Sequence, residues 1–196
     1  MQTSPPGRPR DPRIDNDVLT VTRTMLRSHG WDGLSLRAIA AEAGVGRAAL
    51  TRRWPTKAHL VLDALLGSAP DLAPYDGIDR KGWIEWVVTG SIELFSRAEV
   101  RAALPGLLAA LRDHDDLRHT LWRTFSGPSA ALFAGSDDGS LPAENGDHSA
   151  DAETDAKAVL VMAAGSALFA GLIAAEDDTP ALRARILELL STVADR

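Results

Sequence analysis

The sequence contains no cysteine, and that absence removes disulfides, thiolate metal sites and cysteine nucleophiles together. It fits a reducing compartment. The N-terminal stretch 1–17 is rich in Pro, Arg and Asp and lacks the apolar core of a secretory leader. A long uninterrupted apolar run is also missing. The best stretch, 158–175, is alanine-rich and broken by Gly165, Ser166 and Gly171, which predicts a buried helix rather than a membrane span. No segment alternates apolar and polar residues far enough to predict a strand. There is no G-x-S-x-G, no phosphate-binding loop and no dinucleotide fingerprint. His114 and His119 lie beside Asp113, Asp115 and Asp116, but helical metal pairs sit four apart, so a solvated acidic turn is expected. Together these absences predict a soluble, cytoplasmic, all-α protein that is not an enzyme and carries no cofactor and no metal.

Positive charge is short overall, with a formal net charge of −6, but it is unevenly placed. Residues 1–57 carry ten Arg or Lys against five Asp or Glu, while residues 58–196 carry eleven against twenty-two. A basic head on an acidic body implies that only the head meets a polyanion. The length, 196 residues, suits a small domain joined to a medium one. Such a chain buries roughly 70% of its unfolded surface without needing a staple.

Along the chain, Pro5, Pro6, Pro9 and Pro12 deny residues 1–13 a helix and predict a disordered basic arm. Its Gly7-Arg8-Pro9-Arg10 suits a narrow minor groove, the alternative being an idle solvated tail. Ile14, Val18, Val21, Met25 and Leu26 repeat at the helical period up to the stop at Gly30. Ser35 then caps a helix to about Ala43, and a second short helix runs from about Gly46 to Arg53. Thr56 caps a fourth from Lys57 to Leu66, ahead of the breakers Gly67, Pro70 and Pro74. Further helices are expected from Asp79 to Glu99, from there with Pro105 early in it to near Arg112, and from Leu117 to about Phe125. A flexible loop is expected over 135–150, then two closing helices at about 152–175 and 180–194. The domains are thus the arm 1–13, a head over 14–57 linked by helix 57–66, and a body over 67–196.

The informative stretch is Leu36 to Trp54, LRAIAAEAGVGRAALTRRW. A helix-turn-helix needs a small residue where its helices cross, here Ala40, and a residue tolerating positive φ in the turn, here Gly44. Ile39, Val45 and Leu50 sit where apolar residues must hold the second helix. That helix then offers Arg47, Ala48, Thr51 and Arg52 to DNA: arginine can pair with guanine and alanine can approach a thymine methyl. Arg53 and Lys57 suit phosphates.

The segment Gly30 to Leu65, GWDGLSLRAIAAEAGVGRAALTRRWPTKAHLVLDAL, closely resembles the DNA-binding head of tetracycline-repressor (TetR) family regulators. The shared features are Trp31 after glycine, Ser35 before the second helix, Ile39-Ala40, Ala43-Gly44-Val45 and the ending Trp54-Pro55-Thr56-Lys57. The resemblance implies that Ser35, Arg53 and Lys57 contact phosphates, and that Arg37, Arg47, Ala48 and Thr51 face bases. The family usually has Tyr at the position of Thr51 and commonly Thr at that of Ala49, so operator affinity or sequence choice is in question here.

The body resembles the family more loosely, in helix order, in Leu104-Pro105-Gly106-Leu107-Leu108 and in its last two helices. The resemblance implies a homodimer, its four-helix interface using Ala163, Ser166, Ala170, Ile186, Leu189, Leu190 and Val193; ordinary monomer core is the alternative for any one of them. It also implies a ligand cavity. Its candidate lining is Trp83, Trp86, Phe95, Trp122, Phe125, Met162 and Phe169, which favours a small hydrophobic or aromatic effector. The function implied is a ligand-responsive transcriptional regulator that binds a palindromic double-stranded DNA operator. The alternative is a helical protein-interaction module of the same fold that no longer reads sequence. Repressor or activator does not follow from the residues.

Overall fold

A computed structural model of the chain describes residues 12–67, 79–135 and 147–192. Every regular element in these residues is helical. The order is α1 (Pro12–His29), α2 (Leu36–Glu42), α3 (Arg47–Arg53), α4 (Lys57–Leu66), α5 (Arg80–Ser96), α6 (Ala98–Asp113), α7 (Asp115–Leu121), a π turn (Trp122–Ser126), α8 (Gly127–Gly135), α9 (Asp147–Leu172) and α10 (Pro180–Ser191). Local chemistry sets many of the ends. The Ser35, Thr56, Asp79 and Thr179 side chains each accept a hydrogen bond from the backbone N–H three residues on. Each cap offsets about 1 kcal/mol of otherwise orphaned N–H. Gly30 and Gly44 close α1 and the α2–α3 turn at φ +66° and +65°, where a Cβ would be strained.

Two apolar cores hold the helices. The first gathers Val18 and Leu26 of α1, Ile39, Leu50 and Trp54 of the helix-turn-helix, Leu60 and Val61 of α4, Ala103 and Leu107 of α6, and Leu117 of α7. The head is therefore continuous with α6 and α7. The second joins Trp83, Ile84 and Val87 of α5, Phe133 of α8, Val159 and Ala163 of α9, and Leu190 of α10. The Trp83 and Phe133 rings meet at 4.8 Å, and the Trp83 indole N–H donates to the Ser129 carbonyl at 2.9 Å. Along α9 the buried residues are Ala152, Ala156, Val159, Ala163, Ala167 and Ala170. Steps of three and four place them on one face, and their small size lets neighbouring helices approach closely.

Several boundaries differ from the sequence expectation. Pro12 and Arg13 belong to α1 rather than to an arm, because proline is tolerated in a helix's first turn, where its missing N–H would be unpaired anyway. The α5–α6 break falls at Arg97, so Pro105 lies well inside α6 instead of near its start. Helix α8 was not foreseen. It is apolar all round, so its periodicity carries no signal, and Pro128 reads as a breaker although it sits in the first turn. Helix α9 already begins at Asp147, inside the expected 135–150 loop; residues 136–146 of that loop and residues 1–11 of the arm lie outside the described residues. By length and composition Asp151–Leu172 passes as a membrane-crossing helix, with mean hydropathy 1.5. Nor is it the fully buried helix expected: only one face is covered within the chain, leaving Val161, Met162, Phe169 and Leu172 exposed.

Candidate nucleic-acid interface

The helix-turn-helix is built from the turn outward. Ala40, 4% exposed, sits where α2 meets the turn, and its carbonyl accepts the Val45 N–H at 2.9 Å. The Gly44 N–H donates to the Ala41 carbonyl at 3.3 Å, and α3 starts three residues later, behind Gly46. Ile39, Leu50 and Trp54 are buried beneath the two helices, so their register cannot slip without exposing one of them. The Trp54 indole N–H reaches the Asp63 carboxylate at 2.8 Å and ties the end of α3 to α4.

With that side fixed, the opposite side is set as well. Arg37 on α2 and Arg47, Ala48 and Arg52 on α3 are exposed, and none of the three arginines pairs with another described residue. Ser35 is exposed while its oxygen caps α2, leaving its hydroxyl hydrogen for a phosphate. Thr51 is half-buried and its hydroxyl donates back to the Arg47 carbonyl at 3.0 Å, so it meets a base with its methyl or as an acceptor, not as a donor.

The chain matches the family model described as bacterial regulatory proteins, tetR family, over residues 18–64. It is 43% identical over 63 residues to an uncharacterized HTH-type transcriptional regulator of Mycobacterium bovis, a match covering 30% of this chain and 31% of that relative. Over residues 18–64 the chain carries a head of the TetR family. Two solved structures share its fold over nearly the whole length: Salmonella enterica GusR, with TM-score 0.60, 14% identity and coverage of 94% and 96%, and NalD of Pseudomonas aeruginosa, with TM-score 0.56, 16% identity and coverage of 92% and 96%. NalD is described as the secondary repressor of the MexAB-OprM multidrug efflux pump. The TetR family is one of regulators, not enzymes.

Two residues expected to face phosphates have other work in this TetR-family head. The Arg53 Nε lies 2.9 Å from the Asp15 carboxylate of α1, with both side chains largely buried, so Arg53 braces α3 against α1. The Lys57 ammonium donates to the carbonyls of Trp31 (3.0 Å) and Leu34 (3.2 Å) and lies 4.4 Å from the centre of the Trp31 ring. It closes the α1–α2 turn and keeps one N–H spare. Burial lowers its pKa below the usual lysine range, with Asp32 opposing the shift. The sequence carried no signal for either contact, because each partner lies far away along the chain.

Other contacts join the TetR head to the body. Trp31 packs directly on Gly106 of α6, where a Cβ would lie 2.1 Å from the indole. Arg27 pairs with Glu99 at 3.4 Å. His59 of α4 approaches Asp116 of α7 through Nε2 at 3.2 Å, while its Nδ1 lies 2.9 Å from the Thr56 hydroxyl.

The expected ligand cavity is not assembled from the expected residues. Trp83 is sealed in the second core, Trp86 packs against that core and Phe95 against the first. Met162 and Phe169 point outward, 44% and 59% exposed, and the Phe125 side chain lies outside the described residues. Of the seven, Trp122 alone lines a cleft of about 680 Å³ between α5, α6, α7, the π turn and α9. Its other apolar walls include Leu111, Leu121, Leu160 and Val161.

The expected dimer residues also divide. Ala163, Ala170 and Leu190 are buried within the chain, whereas Ser166 and Ile186 are half-buried. Leu189 is exposed and Val193 lies outside the described residues. The uncovered apolar face instead comprises Val161, Met162, Phe169, Leu172 and Ile173 of α9 and its C-terminal end, with Leu182 and Leu189 of α10. What the sequence could not give was which side of α9 the rest of the chain would occupy.

Proposed function

We propose that this TetR-family chain is a cytoplasmic transcriptional repressor that binds a palindromic operator as a homodimer and is released by a small hydrophobic effector. The observation that carries it is the contrast within the helix-turn-helix: Arg53 of α3 is braced internally, while Arg37 of α2 and Arg47 and Arg52 of α3 stand exposed, with no partner among the described residues, on a rigid apolar scaffold. Arginines of that kind supply guanine pairing and phosphate neutralisation. Two heads are needed to read two half-sites about one helical turn apart. The exposed face of α9 and α10 is the surface a second subunit would cover, and several of its large apolar residues are more than 40% exposed.

Release follows from the shared first core. An effector in the cleft bears on α7 and the π turn, α7 meets α4 through Asp116 and His59, and α4 carries the head. A ligand that binds better when α7 is displaced shifts the population toward head spacings that no longer fit both half-sites. The domains work accordingly: the head through residue 57 reads DNA, helix 57–66 links, and the remainder senses and dimerises.

The test is fluorescence anisotropy with the upstream intergenic DNA at two salt concentrations, beside an Arg47→Ala, Arg52→Ala double variant. Salt-sensitive, specific binding that collapses in the variant supports the proposal. If neither that DNA nor a selected random-oligonucleotide pool yields a preferred sequence, the protein-interaction alternative takes its place, with the back-bonded Thr51 as its structural mark.

A further inference from the structure

The cleft that this reading assigns to the effector is chemically lopsided. Acidic residues outnumber basic ones two to one over 58–196, yet none of the described lining side chains is acidic. Arg118, His119 and Arg123 line it, and Ser91 and Ser126 add hydroxyls. Arg118 is already committed. Its guanidinium donates to the Leu111 carbonyl at 2.6 Å and the Arg112 carbonyl at 2.8 Å, and pairs with Asp115, so it fastens the α6–α7 turn. His119 and Arg123 make no hydrogen bond or ion pair with any described residue.

Backbone geometry supplies a second, independent sign. The helix changes at Trp122 to a π turn, in which the Gly127 N–H bonds to the Trp122 carbonyl five residues back. Such insertions are rare and concentrate at functional sites, since they re-aim side chains that a regular helix would carry elsewhere. Here Trp122, Arg123 and Ser126 of the same turn all line the cleft. Apolar side chains thus share the lining with an imidazole and a guanidinium that has no partner among the described residues.

We infer that the cleft takes an apolar molecule bearing one anionic group, a carboxylate in the simplest case, with the anion on Arg123 and His119 and the apolar part over Trp122, Leu121, Leu160 and Val161. This rests on the effector reading above and adds a charge to it. A guanidinium offers two parallel N–H donors that match a carboxylate edge, and the Asp115 carboxylate is already taken by Arg118. The volume of about 680 Å³ falls in the range that encloses a small organic ligand.

The test is calorimetric titration of the full chain with decanoate and with 2-naphthoate, each beside its own primary amide, at low and moderate salt. The expected result is at least one acid binding tenfold or more tightly than its amide, with the advantage shrinking as salt rises. Arg123→Gln together with His119→Gln should bring acid and amide to near equality without weakening the amide; both residues are exposed, and circular dichroism verifies the fold. The inference is overturned if neither acid outbinds its amide, or if the preference survives in the double variant. Operator anisotropy in the same samples separates the two proposals. A preferred acid that leaves the operator bound removes the release mechanism and keeps the anion site. Release by amide and acid alike does the reverse.

Discussion

Arg47 and Arg53 bound the same seven-residue helix, yet they belong to different energetic accounts. Arg47 is exposed and unpaired, so Arg47→Ala should leave the melting temperature within the scatter of a surface change while costing about 1–3 kcal/mol of operator binding. Thermal melts and anisotropy on one preparation decide this, and a large drop in melting temperature would show that Arg47 is structural. Arg53→Ala should do the opposite first. It leaves the largely buried Asp15 carboxylate without its guanidinium, which costs about 1–3 kcal/mol of stability by urea denaturation, and an unchanged midpoint would refute the brace. Lys57→Met keeps much of the side-chain bulk but removes the donor to two carbonyls and the charge over Trp31. A stability loss of comparable size is expected, detectable as faster amide exchange in the α1–α2 turn.

At the scale of elements, the contact between α6 and the head is the tightest test of the fold. Gly106→Ala would put a methyl about where the Trp31 indole already is, so either α6 or the turn must move. Overpacking of this kind costs about 1–3 kcal/mol, and pairing it with Trp31→Leu should recover part of the loss; no loss from Gly106→Ala alone would contradict the packing. Legibility from sequence follows the range of the determinants. Ser35, Gly44 and Thr56 act within a few residues, and so α2, α3 and α4 lie where their caps and turn predicted them. The exposed Arg37, Arg47 and Arg52 were readable for the same reason. The partners of Arg53 and Lys57 lie tens of residues away, and nothing local announces them. The cleft was missed because large aromatics look like a lining, whereas Trp83 does better as sealed core with its N–H satisfied by Ser129. His119 and Arg123, four apart, were the available signal, but the acidic turn beside them drew the reading toward solvent.

For the whole molecule, the proposed homodimer would assemble through the uncovered face of α9 and α10. Phe169→Asp with Ile173→Asp should leave the helical content intact, since both side chains are exposed in the single chain, and should shift sedimentation from dimer to monomer. Operator affinity should fall with it; a dimer that survives both changes would place the interface elsewhere. Leu190→Asp, by contrast, should unfold the second core. The continuity of the first core bears on inheritance. Residues 12–66 look like a cassette that recombination could exchange between relatives, but Val100, Ala103, Leu107 and Leu117 are part of that cassette's interior. A graft cut after α4 would leave Trp31, Leu60 and Val61 facing a foreign α6 and α7. The transplantable unit is therefore discontinuous, and a chimaera that keeps its DNA specificity must carry two separate stretches of this chain together.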